Sequence, residues 1–136
     1  MSEPFATKVS VLDTIEQLRQ VRSRYDSHKL DDVAWELLLE LLRAERDQQR
    51  LSVSALTVSI PGVSATTSLR RIGELTTGGY TDRTPDARDG RRDFVTLTDK
   101  GRGLLTDYLA GVDSCLTDRA RLNSAVAPAT LANPDC

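Results

Sequence analysis

Residues 64–101 read SATTSLRRIGELTTGGYTDRTPDARDGRRDFVTLTDKG, and the order of signals within them decides the fold. Ser64 offers a side-chain oxygen to the free amides of a starting helix. Leu69, Ile72 and Leu75 follow at helical spacing, and Gly78 and Gly79 stop the helix where a left-handed cap is usual. Tyr80–Arg83 and Phe94–Leu97 are short runs of strand-forming type, joined by a charged loop between Pro85 and Arg92. Thr98 can cap a further helix. A helix, a charged hairpin and a second helix together outline a DNA-reading winged helix.

Upstream, Val53, Leu56 and Ile60 space as i, i+3 and i+7, and Pro61-Gly62 breaks the chain before Ser64. Two short helices across a tight glycine-containing turn are the helix-turn-helix signature. Leu51 and Ser52 suggest a short strand, with Ser52 capping the helix after it. At about 100° per residue, Ala65, Ser68, Leu69, Ile72, Leu75 and Thr76 share one side of helix 64–77. Thr66, Thr67, Arg70, Arg71 and Glu74 share the other. Hydroxyls and guanidinium groups on an outer face suit base edges and phosphates, and Arg matches guanine bidentately. Gly73 costs about 1 kcal/mol against Ala in a helix interior, and close packing is the reading the pattern allows it.

Further out, Met1–Thr7 carries a proline and no periodicity and reads as a loose end. Val11, Leu12, Ile15 and Leu18 then form the stripe of an amphipathic helix that must bury one face. Asp31 or Asp32 starts a second helix, VAWELLLELLRAERDQQR, apolar enough to be covered on two sides. His28, in the polar connection between them, reads as a solvated side chain. After Thr98 a helix of about 24 residues spans roughly 36 Å, with Leu104, Leu105, Tyr108, Leu109, Val112 and Leu116 as its stripe. It is longer than a small reading head needs, and the first helix adds a second surplus stripe. A homodimer is the economical way to cover both.

Composition narrows the classes. The 136 residues are 39% apolar and 28% charged, which is a globular balance for one domain. With no run of membrane length and no apolar N-terminal stretch of signal-peptide type, a cytoplasmic protein without a membrane partner is expected. Net charge is −2, but its distribution is uneven. Residues 1–50 carry 8 basic and 10 acidic side chains, whereas 64–92 carry 6 basic, all Arg, and 4 acidic. The reading segment is thus the basic one. Cys115 and Cys136 form neither a disulfide framework nor a zinc pattern and read as ordinary thiols. With one His and no nucleophile beside a base in any recognisable motif, no catalytic residue, metal or cofactor is assigned.

Leu75-Thr-Thr-Gly-Gly79-Tyr80, then Asp86-Ala-Arg88-Asp89-Gly90-Arg91-Arg92, then Phe94-Val-Thr-Leu97-Thr98-Asp-Lys-Gly101, resembles the wing of MarR-type transcriptional regulators. Val53–Ile72 is similar to their helix-turn-helix, so that the likeness spans Asp32 to Leu109. It implies a dimer whose recognition helix enters the major groove while a wing arginine reaches the minor groove. On matching positions Arg91 is that arginine and Asp89 the carboxylate that orients it. Ser68 stands where the family has a branched apolar residue, with Leu69 and Ile72 left to take over its packing. One helix follows Gly101 where members commonly use two to dimerise. Members also bind small phenolic or lipophilic ligands, which leaves room for a small-molecule effector of unknown identity.

The expected fold is mostly α with a small β-hairpin wing, a winged helix-turn-helix flanked by N- and C-terminal dimerisation helices. Its parts are an arm and amphipathic helix at 1–29, a DNA-binding domain at 30–98, a dimerisation helix at 99–122 and a flexible tail at 123–136. The expected function is a sequence-specific regulator of transcription that binds double-stranded DNA as a dimeric repressor, with helix 64–77 in the major groove and wing 85–92 in the minor groove. Ser64, Thr66, Thr67, Arg70 and Arg71 are its DNA-contacting residues on the helix; Arg88, Asp89, Arg91 and Arg92 are those on the wing. The alternative is a winged helix that binds another regulator rather than DNA, which the acidic net charge favours.

Overall fold

The computed structural model describes the backbone of residues 2–131 and the side chains of residues 10–121. Its elements run α1 (Ser2–Ser23), α2 (Asp32–Arg46), β1 (Leu51–Ser52), α3 (Val53–Thr57), α4 (Ala65–Thr77), β2 (Thr81–Pro85), β3 (Asp93–Leu97) and α5 (Asp99–Leu131), with a 3-10 turn at Asp26–His28. This is a mostly helical fold with a small antiparallel sheet as its wing.

Capping chemistry sets most of these boundaries. The Asp31 carboxylate accepts the Ala34 N–H at 2.9 Å, the Ser52 hydroxyl that of Ala55 at 3.1 Å, and the Ser64 hydroxyl that of Thr67 at 3.1 Å. Thr98 does the same for Gly101 at 3.1 Å. At the other end of α4, Gly79 takes φ +82°. Its N–H bonds the Thr76 carbonyl while the Tyr80 N–H reaches back to that of Leu75. That pair of bonds is a Schellman stop, and it turns the chain directly into β2. The strand order is β1-β3-β2, with Arg83 opposite Val95, Thr84 opposite Phe94, and Ser52 opposite Phe94 on the other edge.

The described residues divide into two compact units, one of residues 28–106 and one of residues 2–27 with 107–131. In the first, Leu37, Leu38, Leu41, Leu56, Ile72, Leu75, Val95 and Leu105 are buried and form the core. The first turns of α5 belong to this unit, beyond the boundary expected at residue 98. Arg102 explains why: its guanidinium donates to Glu45 of α2 at 2.6 and 2.9 Å, and that contact holds the Glu45 carboxyl below its ordinary range. In the second unit α1 and α5 approach closely where Gly111 faces Val21; a Cβ at Gly111 would come within 2.8 Å of Val21 Cγ1. Arg119 of α5 reaches the Ser10 carbonyl at 2.9 Å and the Thr14 hydroxyl at 2.5 Å, both on α1. Tyr25 and Tyr108 meet edge to face at 6.1 Å.

Several expectations are corrected. Helix α1 begins at Ser2 rather than near residue 8, because Pro4 falls in the first turn, where its missing N–H costs nothing. Helix α5 runs to Leu131, through nine residues read as flexible tail, although Pro128 and the polar residues there do not favour a helix by propensity. Residues 132–136, including Cys136, lie outside the described residues. His28 is half-buried and shares a 2.7 Å hydrogen bond with the Tyr80 hydroxyl, whose burial raises its pKa.

Leu69 does not take over the packing at Ser68: it is 47% exposed, while Ser68 is buried beside Ile72 and Leu75. The Ser68 hydroxyl is buried without a hydrogen-bond partner. Leaving a hydroxyl unsatisfied in an apolar site forfeits its solvation without return. Ser68→Ala is therefore expected to raise unfolding free energy by about 1 kcal/mol, visible as a higher urea midpoint at unchanged slope. A lower midpoint would show that the hydroxyl contributes to the fold.

Candidate nucleic-acid interface

Helix α4 is amphipathic, and the turn at Pro61-Gly62 and the stop at Gly79 fix which side it buries. Ser68, Ile72 and Leu75 face the core, which leaves Ala65, Thr66, Leu69 and Arg70 exposed. Arg70 makes no ion pair or hydrogen bond to any described residue. Gly73 lies between them with nothing within 4 Å of a Cβ placed there, so close packing within the chain does not account for it. The outer face of α4 is a strip with two apolar side chains, Ala65 and Leu69, the Thr66 hydroxyl, the uncommitted Arg70 guanidinium and the exposed Glu74 carboxylate.

The residues expected here divide into two groups. Ser64 and Thr67 are tied together, hydroxyl to hydroxyl at 2.9 Å, as part of the cap. Arg71 is turned to another task. Its Nε donates to Asp31 at 2.6 Å and its Nη1 lies 3.4 Å from Glu74, which leaves the side chain only 26% exposed. Asp31 thus caps α2 with one oxygen and holds α4 with the other. Thr66 and Arg70 remain open on the outer face, with Leu69 as an addition that helical spacing alone had assigned inward.

The wing is organised by Asp86, a residue not among the expected contacts. Its buried carboxylate accepts the Arg88 N–H at 2.9 Å, and Arg92 Nε and Nη2 at 3.1 and 2.8 Å. The Arg88 amide first, then the Arg92 guanidinium, hold its pKa below the ordinary aspartate value, so it is ionised at neutral pH. Arg92 N–H to Asp89 O at 3.0 Å and Asp86 N–H to Arg92 O at 2.8 Å close the loop. Asp89 holds Arg91 less firmly than a planar pair would. Its stronger bond is to the Arg91 N–H at 3.1 Å, and the guanidinium contact is single and 3.4 Å long. Arg91 is left 94% exposed at the tip. The signal for Asp86 was present in the sequence, as an acid six residues before an Arg across a turn, but spacing could not tell it from Asp89.

No protein-family model and no curated protein sequence matches the chain. Solved structures do share its fold. The transcriptional regulator Tm0710 from Thermotoga maritima is 19% identical, covering 91% of this chain and 81% of its own, with a TM-score of 0.63. S. aureus MepR bound to ethidium bromide is 15% identical over 97% of this chain and 93% of its own, at 0.73. The S. aureus MepR–DNA complex is 16% identical over 93% and 98%, at 0.66. These are MarR-family transcriptional regulators, and the fold of this chain is their winged helix.

Proposed function

We propose that this protein is a sequence-specific regulator of transcription that binds double-stranded DNA as a dimeric repressor. The observation that carries the reading is Arg70, exposed and uncommitted beside Thr66 and Leu69 on the outer face of α4. Placed in the major groove, that strip offers a guanidinium for a guanine edge, a hydroxyl, and an apolar side chain for a thymine methyl. The wing extends Arg91 from a loop that Asp86 stiffens, and a narrow A·T-rich minor groove attracts such a side chain. MepR, which shares the fold, has been solved with DNA. For the dimer, Val11, Leu12 and Ile15 of α1 and Leu109 and Leu116 of α5 are exposed and apolar. A second copy of the chain is the partner we assign to them.

A cavity of about 360 Å3, lined by Asp31, Ala34, Arg71, Leu75 and Tyr80, is where we place a small-molecule effector. An anionic ligand there would compete with Asp31 for Arg71 and so loosen α4.

Arg91 provides the test. Its long, exposed contact to Asp89 contributes nothing measurable to stability, so Arg91→Ala should keep the parent thermal midpoint. Fluorescence anisotropy against selected duplexes should show at least several-fold weaker binding, most where the flanks are A·T-rich. Asp89→Ala should do the same more mildly, by releasing the turn rather than the guanidinium. Parent-like affinity for Arg91→Ala at physiological salt would remove the wing from the interface.

A further inference from the structure

One flank of the wing is used neither by the outer face of α4 nor by Arg91. A cleft of about 520 Å3 opens there, lined by Arg50, Arg88, Arg92, the Phe94 ring and the Pro85–Asp86 turn. Arg50 enters it from the residue before β1, whose Ser52 pairs with Phe94. Its guanidinium carbon lies 4.0 Å from the centre of the Phe94 ring, and that of Arg92 lies 5.2 Å from the same ring.

Stacking on a ring face fixes the plane of a guanidinium and leaves its in-plane N–H donors available. The side chains of Arg50 and Arg88 make no ion pair or hydrogen bond to any described residue. Asp86 is the one acid lining the cleft, and the Arg88 amide and Arg92 already occupy it. Three guanidinium groups against one carboxylate leave an excess of two positive charges. Arg92 also lines a neighbouring cleft of about 320 Å3 with Arg83, Arg91 and Asp93, so a net positive band, three guanidinium groups against one carboxylate, continues toward the wing tip.

We propose that the cleft is a phosphate-binding site that grips the sugar-phosphate backbone of the duplex, with Arg50, held in place by Phe94, as a phosphate contact. This rests on the DNA-binding reading above and adds a contact that composition hid, because Arg50 lies in the half of the chain where acids outnumber bases. A phosphodiester fits the donor set: it is anionic and accepts N–H groups from more than one guanidinium. On a chain of net charge −2, long-range attraction to DNA is weak, and local clusters must supply the grip. Phosphate contacts carry no sequence information, so the site sets register and affinity rather than specificity.

The test is the salt dependence of duplex affinity. Arg50→Ala should weaken every duplex several-fold alike and reduce the slope of log affinity against log salt by about one. Arg50→Lys should restore the slope but only part of the affinity, since it keeps the charge and loses the stacked fork. Phe94→Leu should keep the slope and weaken binding, because Arg50 must then be ordered on contact. An unchanged slope for Arg50→Ala, in a parent that binds DNA, would overturn the clamp and leave the regulator reading intact. A parent that binds no duplex would overturn that reading and the clamp with it. Arg50-dependent binding of inorganic pyrophosphate, together with a duplex slope that Arg50→Ala leaves unchanged, would assign the cleft to a free phosphate compound and overturn the backbone assignment.

Discussion

Gly101→Ala is expected to destabilise the winged-helix unit by about 3 kcal/mol, the largest loss of stability among the substitutions considered. Gly101 lies in the first turn of α5 with ordinary helical backbone, so conformational freedom is not the reason for glycine. Space is the reason. A Cβ at this position would overlap the Tyr80 carbonyl oxygen and lie 3.1 Å from its carbon and 3.4 Å from Leu97 Cδ2. The Tyr80 carbonyl cannot swing aside. It accepts the Thr98 N–H at 3.1 Å, and the Tyr80 N–H is bound to Leu75 in the stop of α4. Moving it would disturb the cap, the first residues of β2 and the start of α5 together. Gly103, two residues on, is the control: nothing lies within 4 Å of a Cβ there, and alanine should be neutral or stabilising. Urea denaturation of both variants reads the difference. A Gly101→Ala midpoint equal to that of the parent would mean that α5 can shift away from the sheet at no cost.

Arg70→Ala is expected to cost about 1–3 kcal/mol of specific DNA affinity, roughly 5- to 150-fold, and to relax specificity at one base pair. Arg71→Ala should behave differently although the two residues are adjacent. Arg71 is occupied by Asp31 and Glu74 on the protein itself. Losing it frees a capping aspartate and loosens α4 against α2, so its effect should appear in stability and fall on all sequences alike. Each alanine variant, measured against a panel of single-base operator changes, separates the two. Equal, base-specific losses from both would show that the Asp31 pair opens on binding and that Arg71 also reads bases.

The contrast between these neighbours shows what patterns can and cannot reveal. Caps and stops were legible because their chemistry is local: Ser52, Ser64, Asp31 and Gly79 act on amides within a few residues. The hairpin was legible for the same reason, and so was the buried stripe of α2. What was not legible depends on partners far away in sequence. Asp31 reaches Arg71 over 40 residues, and Arg102 reaches Glu45 over 57. His28 meets Tyr80 over 52, which no reading of a polar loop could anticipate. Angular placement on α4 put Leu69 inward because it borders the buried stripe. In the fold Ser68 occupies the centre of that stripe, and Leu69 turns to the surface. In the wing two aspartates stood within one loop, and only the fold shows that Asp86 is the buried one.

The most direct test of the central claim, that α4 and the wing read duplex sequence, is selection of bound duplexes from a random-sequence pool at physiological salt. A pseudo-palindrome with half-sites about one helical turn, roughly 10 base pairs, apart should be enriched, and Arg70→Ala should lose preference at one position of each half-site. A pool that emerges unenriched, or an enriched motif that Arg70→Ala leaves unchanged, would contradict that claim.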